Sequence, residues 1–282
     1  MHRSTPDEAE GLEMTLSTRL DPNSYDRRLE WLGAWSGIAW LIICGGGFGA
    51  SGLLPVWSPA TKPSELAAHL SDIKYQVLIG MLLVLVGGLT FLLTWSLTLA
   101  YQIRKYANPS PLAAGFLVLG GVTGALIGML CGVLGSAMAF RVDTLAPDTT
   151  QLLYDLIWFL FLIPWPPFML WQFLTGFAIL SDANRQTMFP RWTGYFSLWA
   201  GALEVFSALS VFFYSGPFSY NGLVTFWVPG VSFFGWVLVL AIVQVRRLPL
   251  ARAALAGESS TNETPNDDAE LHSIRIPSAA GI

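Results

Sequence analysis

Glu204 stands in the stretch Ala200-Gly201-Ala202-Leu203-Glu204-Val205-Phe206-Ser207-Ala208, about twelve residues into an apolar segment. That is roughly 18 Å at helical rise, near the middle of a bilayer core of about 30 Å. A carboxylate at that depth costs several kcal/mol if ionised and unpaired, so it must be protonated, paired or facing water. Ser197, Gly201, Ser207 and Ala208 lie on its helical side, which turns it toward a protein interior. A second feature falls at similar depth, about 20 Å into the preceding segment: Ile163-Pro164-Trp165-Pro166-Pro167. Proline has no amide donor and its ring clashes with the carbonyl four residues back; the residue before it is disfavoured in the α region. The helix is therefore expected to break, with Ile163, Trp165 and Pro166 driven out of the α region and the carbonyls of Leu160, Leu162 and Ile163 freed. Freed carbonyls at a negative helix end favour a proton donor or a cation. Glu204 and Ser207 on one side, with Pro164, Trp165, Pro166 and Pro167 on the other, form a candidate substrate- or proton-binding site. The bland reading is a neutral Glu204 hydroxyl donating to one of those carbonyls.

Two further charges join the candidate set. Asp155 lies about one turn inside the same segment as the break, and Arg141 is placed to pair with it across the connection, with Asp143 competing for the arginine. His69 and Asp72 are three residues apart, but two ligands do not make a metal site, and no metal is expected. His2, His69 and His272 all lie outside the apolar segments, so membrane histidine boxes and paired haem ligands are absent. No His-Glu-x-x-His, Gly-x-Ser-x-Gly or phosphate loop occurs, so no catalytic set and no cofactor are assigned. Gly47 to Gly52 formally matches a dinucleotide fingerprint, but no strand precedes it and it reads as close helix packing.

The elements that must position these residues are membrane helices. The chain is 53% hydrophobic and 12% charged, with its charges gathered between apolar segments. Six segments can each cross a bilayer: 31–54, 76–101, 112–138, 152–180, 192–214 and 222–245. The predicted fold is an all-α membrane protein, a six-transmembrane-helix bundle with a proline-broken fourth helix. A short external amphipathic helix is predicted near Pro63–Ile73, where Leu66, Leu70 and Ile73 share a face. Residues 1–29 and 248–282 read as polar, mobile cytoplasmic segments flanking the 30–247 bundle. Of the Lys and Arg residues, only Lys62, Lys74 and Arg141 fall on the side away from the termini, which places both termini in the cytoplasm. The net charge of −4 offers nucleic acid no basic surface. Cys44 and Cys131 each lie within a span, so neither a disulfide framework nor a cysteine metal site is supported.

The third span carries Gly120, Gly124, Gly128, Gly132 and Ser136 at every fourth position, a helix edge that lets a neighbouring helix approach closely; a homodimer seam is the alternative use. The turn Phe189-Pro190-Arg191-Trp192-Thr193-Gly194, together with the loop helix after span one, resembles a signature of an uncharacterised family of six-span bacterial inner-membrane proteins. That resemblance covers approximately residues 30–245 and implies a bacterial cytoplasmic membrane without implying a function. Three readings follow from the residues themselves. One is a small transporter or permeability factor for a small apolar or weakly polar molecule, with Glu204 as a proton-linked gate. Another is a non-catalytic scaffold or accessory subunit that holds a partner in the lipid bilayer. A third is an enzyme acting on lipid or isoprenoid through Asp155, Glu204 and Arg141.

Overall fold

The computed structural model describes residues 22–107, 110–182 and 188–262. Among the described residues six helices are long and apolar enough to cross a membrane: Tyr25–Ala50, Lys74–Tyr106, Pro111–Arg141, Pro147–Leu180, Arg191–Val211 and Leu223–Ala253, called spans one to six. No strand occurs among the described residues, so the expected all-α six-helix bundle is the observed architecture. Proline opens several of these elements. Pro111 and Pro147 occupy first-turn positions, where a missing amide costs nothing, and Ser110 caps span three by accepting from the Ala113 amide at 3.3 Å.

Each span packs on the next, and span six returns to span one, so the helices form a closed ring. The outside of the ring is apolar: Ile42, Ile79, Leu119, Leu152, Phe177, Trp199 and Leu238 are all exposed. A soluble protein rarely presents such a surface, and here it faces lipid. The described residues begin and end at one end of the ring, called the terminal face; the loops 51–73, 142–146 and 212–222 make the distal face. The helix Pro63–Asp72 lies on the distal face with Leu66 and Leu70 buried. It is tied down by named contacts. Tyr154 accepts from the Trp57 amide at 3.0 Å, Gln151 donates to the Pro59 carbonyl at 3.1 Å, and His69 stacks on Trp57 with ring centres 4.5 Å apart.

Two boundaries differ from expectation. The helix leading into span one begins at Pro22, and that of span six runs through Pro249 to Asn262, so parts of the segments expected to be mobile are helical. A buried ion cluster joins these helices where they meet. Glu30 accepts from Lys105 at 2.7 Å and from Arg252 at 2.8 Å, joining the terminal ends of spans one, two and six. The rest of both expected tails, 1–21 and 263–282, lies outside the described residues.

The third-span glycines are used within the chain. A Cβ on Gly120 would fall 2.3 Å from Trp171 Cγ, one on Gly124 would meet Leu92 at 3.0 Å, and one on Gly132 would meet Leu85 at 3.0 Å. Gly128 faces Gly88, whose Cα would be 3.5 Å away. Spans two and four thus press on span three where it has no side chain.

Candidate functional site

Helix geometry is disturbed at one level of the ring. Span one contains a π-helical turn at Leu41–Gly45 and span two another at Gly87–Leu92. Span four breaks between Leu162 and Trp165, span five tightens from α to 3₁₀ after Glu204, and span six passes from π to α after Trp227. Such departures cost backbone regularity and concentrate at functional sites. Here they surround a central cavity of about 60 Å³ whose wall includes Cys44, Gly88, Leu162, Trp165, Glu204, Ser207 and Pro229. Span three, the regular helix, contributes Gly124, Ile127, Gly128 and Cys131 to the same wall.

Aromatic clusters flank the cavity. Toward the terminal face Trp95, Trp171 and Trp236, all essentially unexposed, meet pairwise with centroids 5.2 to 5.8 Å apart. The Trp95 indole donates to Gln244 Oε1 at 2.6 Å, and Gln244 donates to Gln102 Oε1 at 2.8 Å, so this cluster is held by a buried amide chain. Toward the distal face Phe48, Trp158, Phe161 and Phe226 cluster edge to face and stacked.

Glu204 is 5% exposed and ends the α-helical part of span five. Its partner is Gln172 of span four, which is fully buried and donates Nε2 to Glu204 Oε1 at 3.1 Å. The Gln172 carbonyl oxygen has no hydrogen-bond partner. Ser207 donates to the Thr225 carbonyl at 3.3 Å and lines the cavity beside Glu204. Glu204 shares the cavity wall with Leu162 and Trp165 at the break, but its hydrogen bond goes to an amide two turns beyond the break rather than to the freed carbonyls expected to receive it.

The break is also narrower than expected. Ile163 keeps helical angles (φ −63, ψ −33), and the deviation is confined to Pro164 (φ −71, ψ 29). Trp165 restarts the helix at once, because Pro166 and Pro167 then fall in a first turn, where no amide donor is needed. Of the proline-rich stretch only Trp165 reaches the cavity wall; Pro166 is exposed, and Pro164 and Pro167 shape the bend.

Arg141 and Asp155 do not pair. Asp155 accepts from the Tyr220 hydroxyl at 2.6 Å, and Arg141 is exposed, its guanidinium 5.3 Å from the Phe140 ring centre. Burial and then the hydrogen bond to the carboxylate push the Tyr220 hydroxyl above the usual phenol range, which keeps it a donor. Asp143 is taken by Lys74 and by Ser71, not by Arg141. Neither Asp155 nor Arg141 lines the cavity, so the three-residue constellation of the enzyme reading is not assembled. Among the described residues no group of three or more His, Cys, Asp or Glu could hold a metal.

Sequence reasoning passed over Gln172, Gln102, Gln244 and Glu30. A signal existed for the amides: each is a long polar side chain inside an apolar run, and such a group is retained in a membrane helix only where the bundle supplies a partner. Comparison with known proteins finds no matching family, no matching curated protein and no matching solved structure.

Proposed function

We propose that this integral membrane protein is a small transporter or permeability factor, taking a small, mainly apolar molecule into the ring, with Glu204 as its proton-linked group. The observation that carries this reading is the placement of Glu204 in the wall of a largely apolar cavity flanked by aromatic clusters, at the level where five helices leave regular geometry. Irregular backbone beside a midplane acid is how discontinuous membrane helices build substrate and ion sites. An acid there responds to protonation and to ligand alike, because each changes the cost of holding it out of water.

The distribution of basic residues supports a cytoplasmic terminal face, and the whole arrangement suits a bacterial inner membrane. The scaffold reading has less surface to use, since the third-span glycines that would receive a partner helix are covered by spans two and four.

Proteoliposomes holding a pH-sensitive dye test the proposal against a panel of small monoamines, alcohols and aromatic solutes. Wild type should couple movement of at least one of them to a proton signal, and Glu204→Gln should abolish the coupling. Identical signals from the two proteins would overturn it. A second protein retained stoichiometrically in native mass spectra, with no small-molecule signal, would favour the scaffold instead.

A further inference from the structure

The cavity wall carries one carboxyl group and a high density of aromatic rings, among them Trp40, Phe161, Trp165, Phe168 and Phe234, with Trp40 and Phe234 stacked at 4.9 Å. It carries no Lys, Arg or His. Aromatic faces are the negative poles of their ring quadrupoles, so rings and acid attract the same kind of charge. A neutral apolar solute would gain nothing from the acid, and an anion would be repelled by both. The volume also selects. A cavity of about 60 Å³ admits only a small group of a few heavy atoms.

A second hollow continues the first. Between the distal halves of spans one and six runs a groove of about 230 Å³, bordered by Gly45, Leu54, Trp158, Trp227 and Val231, and sharing Phe48, Phe161, Gly230 and Phe234 with the cavity wall. Its lining has no charged or hydrogen-bonding side chain other than the indoles of Trp158 and Trp227. Val231 is 66% exposed and Trp227 40%, on the surface that faces lipid. Glycine keeps the groove open: a Cβ on Gly230 would meet nothing within 4 Å, and one on Gly45 would meet only Phe234 at 3.9 Å. The cavity alone is too small for more than a head group, and the groove alone has nothing to recognise one. Joined, they match a molecule with a compact charged head and an apolar chain.

Resting on the reading above, we infer that the ligand is a lipophilic cation, a small ammonium head on an apolar chain, which reaches Glu204 from the bilayer through the groove between spans one and six and exchanges there with a proton. The exchange balances: the Glu204 carboxyl releases one proton as one monocation binds, and regains it when the cation leaves. The other titratable groups facing the cavity are the thiols of Cys44 on span one and Cys131 on span three. From span four the near polar group is the Gln172 amide and from span five Ser207, neither of which titrates, while span six contributes Pro229, Gly230, Phe233 and Phe234.

The test uses the full chain in nanodiscs of zwitterionic lipid, with radiolabelled decyltrimethylammonium as probe, its head being a nitrogen with three methyl groups. Binding should be saturable and should weaken by up to about tenfold per pH unit on the acid side, as proton and cation compete one for one. Glu204→Gln should lower affinity at least tenfold. Gly45→Leu should weaken the decyl compound while leaving tetramethylammonium, which has no chain, unchanged. Wild-type binding that does not vary with pH overturns the inference without recourse to any variant. Equal affinity for 1-decanol also overturns it; if the decanol signal still depends on Glu204, the transport reading survives. If no probe binds and no solute in the panel moves protons, both fail together.

Discussion

The side-chain amide of Gln172 meets the carboxyl of Glu204 at 3.1 Å across two antiparallel neighbours, spans four and five, while its own carbonyl oxygen stays unpaired. An amide is both donor and acceptor. With Nε2 toward Glu204 it serves an ionised or carbonyl oxygen; turned by half a rotation it would accept from a carboxylic hydroxyl. Gln172 can therefore satisfy Glu204 in either protonation state, which a lysine, a donor only, could not. A double-mutant cycle of Glu204→Gln and Gln172→Leu, read by unfolding in mild detergent, should give a coupling of about 0.6 to 1.7 kcal/mol, the range of polar contacts between membrane helices. A coupling indistinguishable from zero would mean that the contact does not hold the spans together.

The third span offers a graded series. Ala at Gly120 must displace the Trp171 ring, which leans against Trp236 in the tryptophan cluster, so Gly120→Ala should cost about 1 to 3 kcal/mol by overpacking. At Gly128 the nearest atom would be the Gly88 Cα at 3.5 Å, an ordinary contact, and the alanine gains about 1 kcal/mol of helix propensity. Gly128→Ala should therefore be neutral or stabilising in thermal melts. Gly124→Ala, meeting the end of Leu92 at 3.0 Å, should fall between them.

Glu30 is the most consequential charge on the terminal face. Its side chain is 2% exposed and it holds Lys105, Arg252 and the Tyr106 hydroxyl. Removing one partner from a buried ion pair typically costs about 3 to 5 kcal/mol. Lys105 and Arg252 keep 33% and 26% of their side-chain surface, so solvent offsets part of that. Glu30→Ala should destabilise by about 2 to 3 kcal/mol and raise hydrogen exchange where spans one, two and six meet. Lys105→Ala should cost less, since Arg252 remains.

Depth in the membrane was legible in the chain because rise per residue is fixed: counting residues puts Trp165 and Glu204 at one level, and they share a cavity. Rotation about the helix axis was not. Each residue turns a helix by about 100°, so whether Asp155 faces Arg141 or Tyr220 depends on how spans three, four and six settle against one another, and packing chose Tyr220. Glu30 was hidden for a different reason. It stands where a polar segment gives way to an apolar one, where a charge reads as belonging to the headgroup layer. Its two cations come from residues 75 and 222 positions away, which no local pattern connects.

Asp143, in the loop between spans three and four, gives a prediction about acid. Its carboxylate accepts from Lys74 and from Ser71, and these hold it below the ordinary value of 3.8. A carboxyl depressed in the folded state stabilises the fold above its unfolded pKa, and that contribution is lost as pH falls through the folded value. The group is open to solvent, so the effect is modest and screened by salt. Melting temperatures of wild type and Asp143→Asn, compared at low ionic strength, should differ most above about pH 4, where the wild-type carboxylate is charged in both states. The gap should shrink as the pH drops below 3.8 and the wild type protonates. High salt should narrow the gap at every pH. A difference that stayed constant through the acid range would show that the contact with Lys74 and Ser71 acts by shape alone, without the charge that brings the loop between spans three and four to the head of span two.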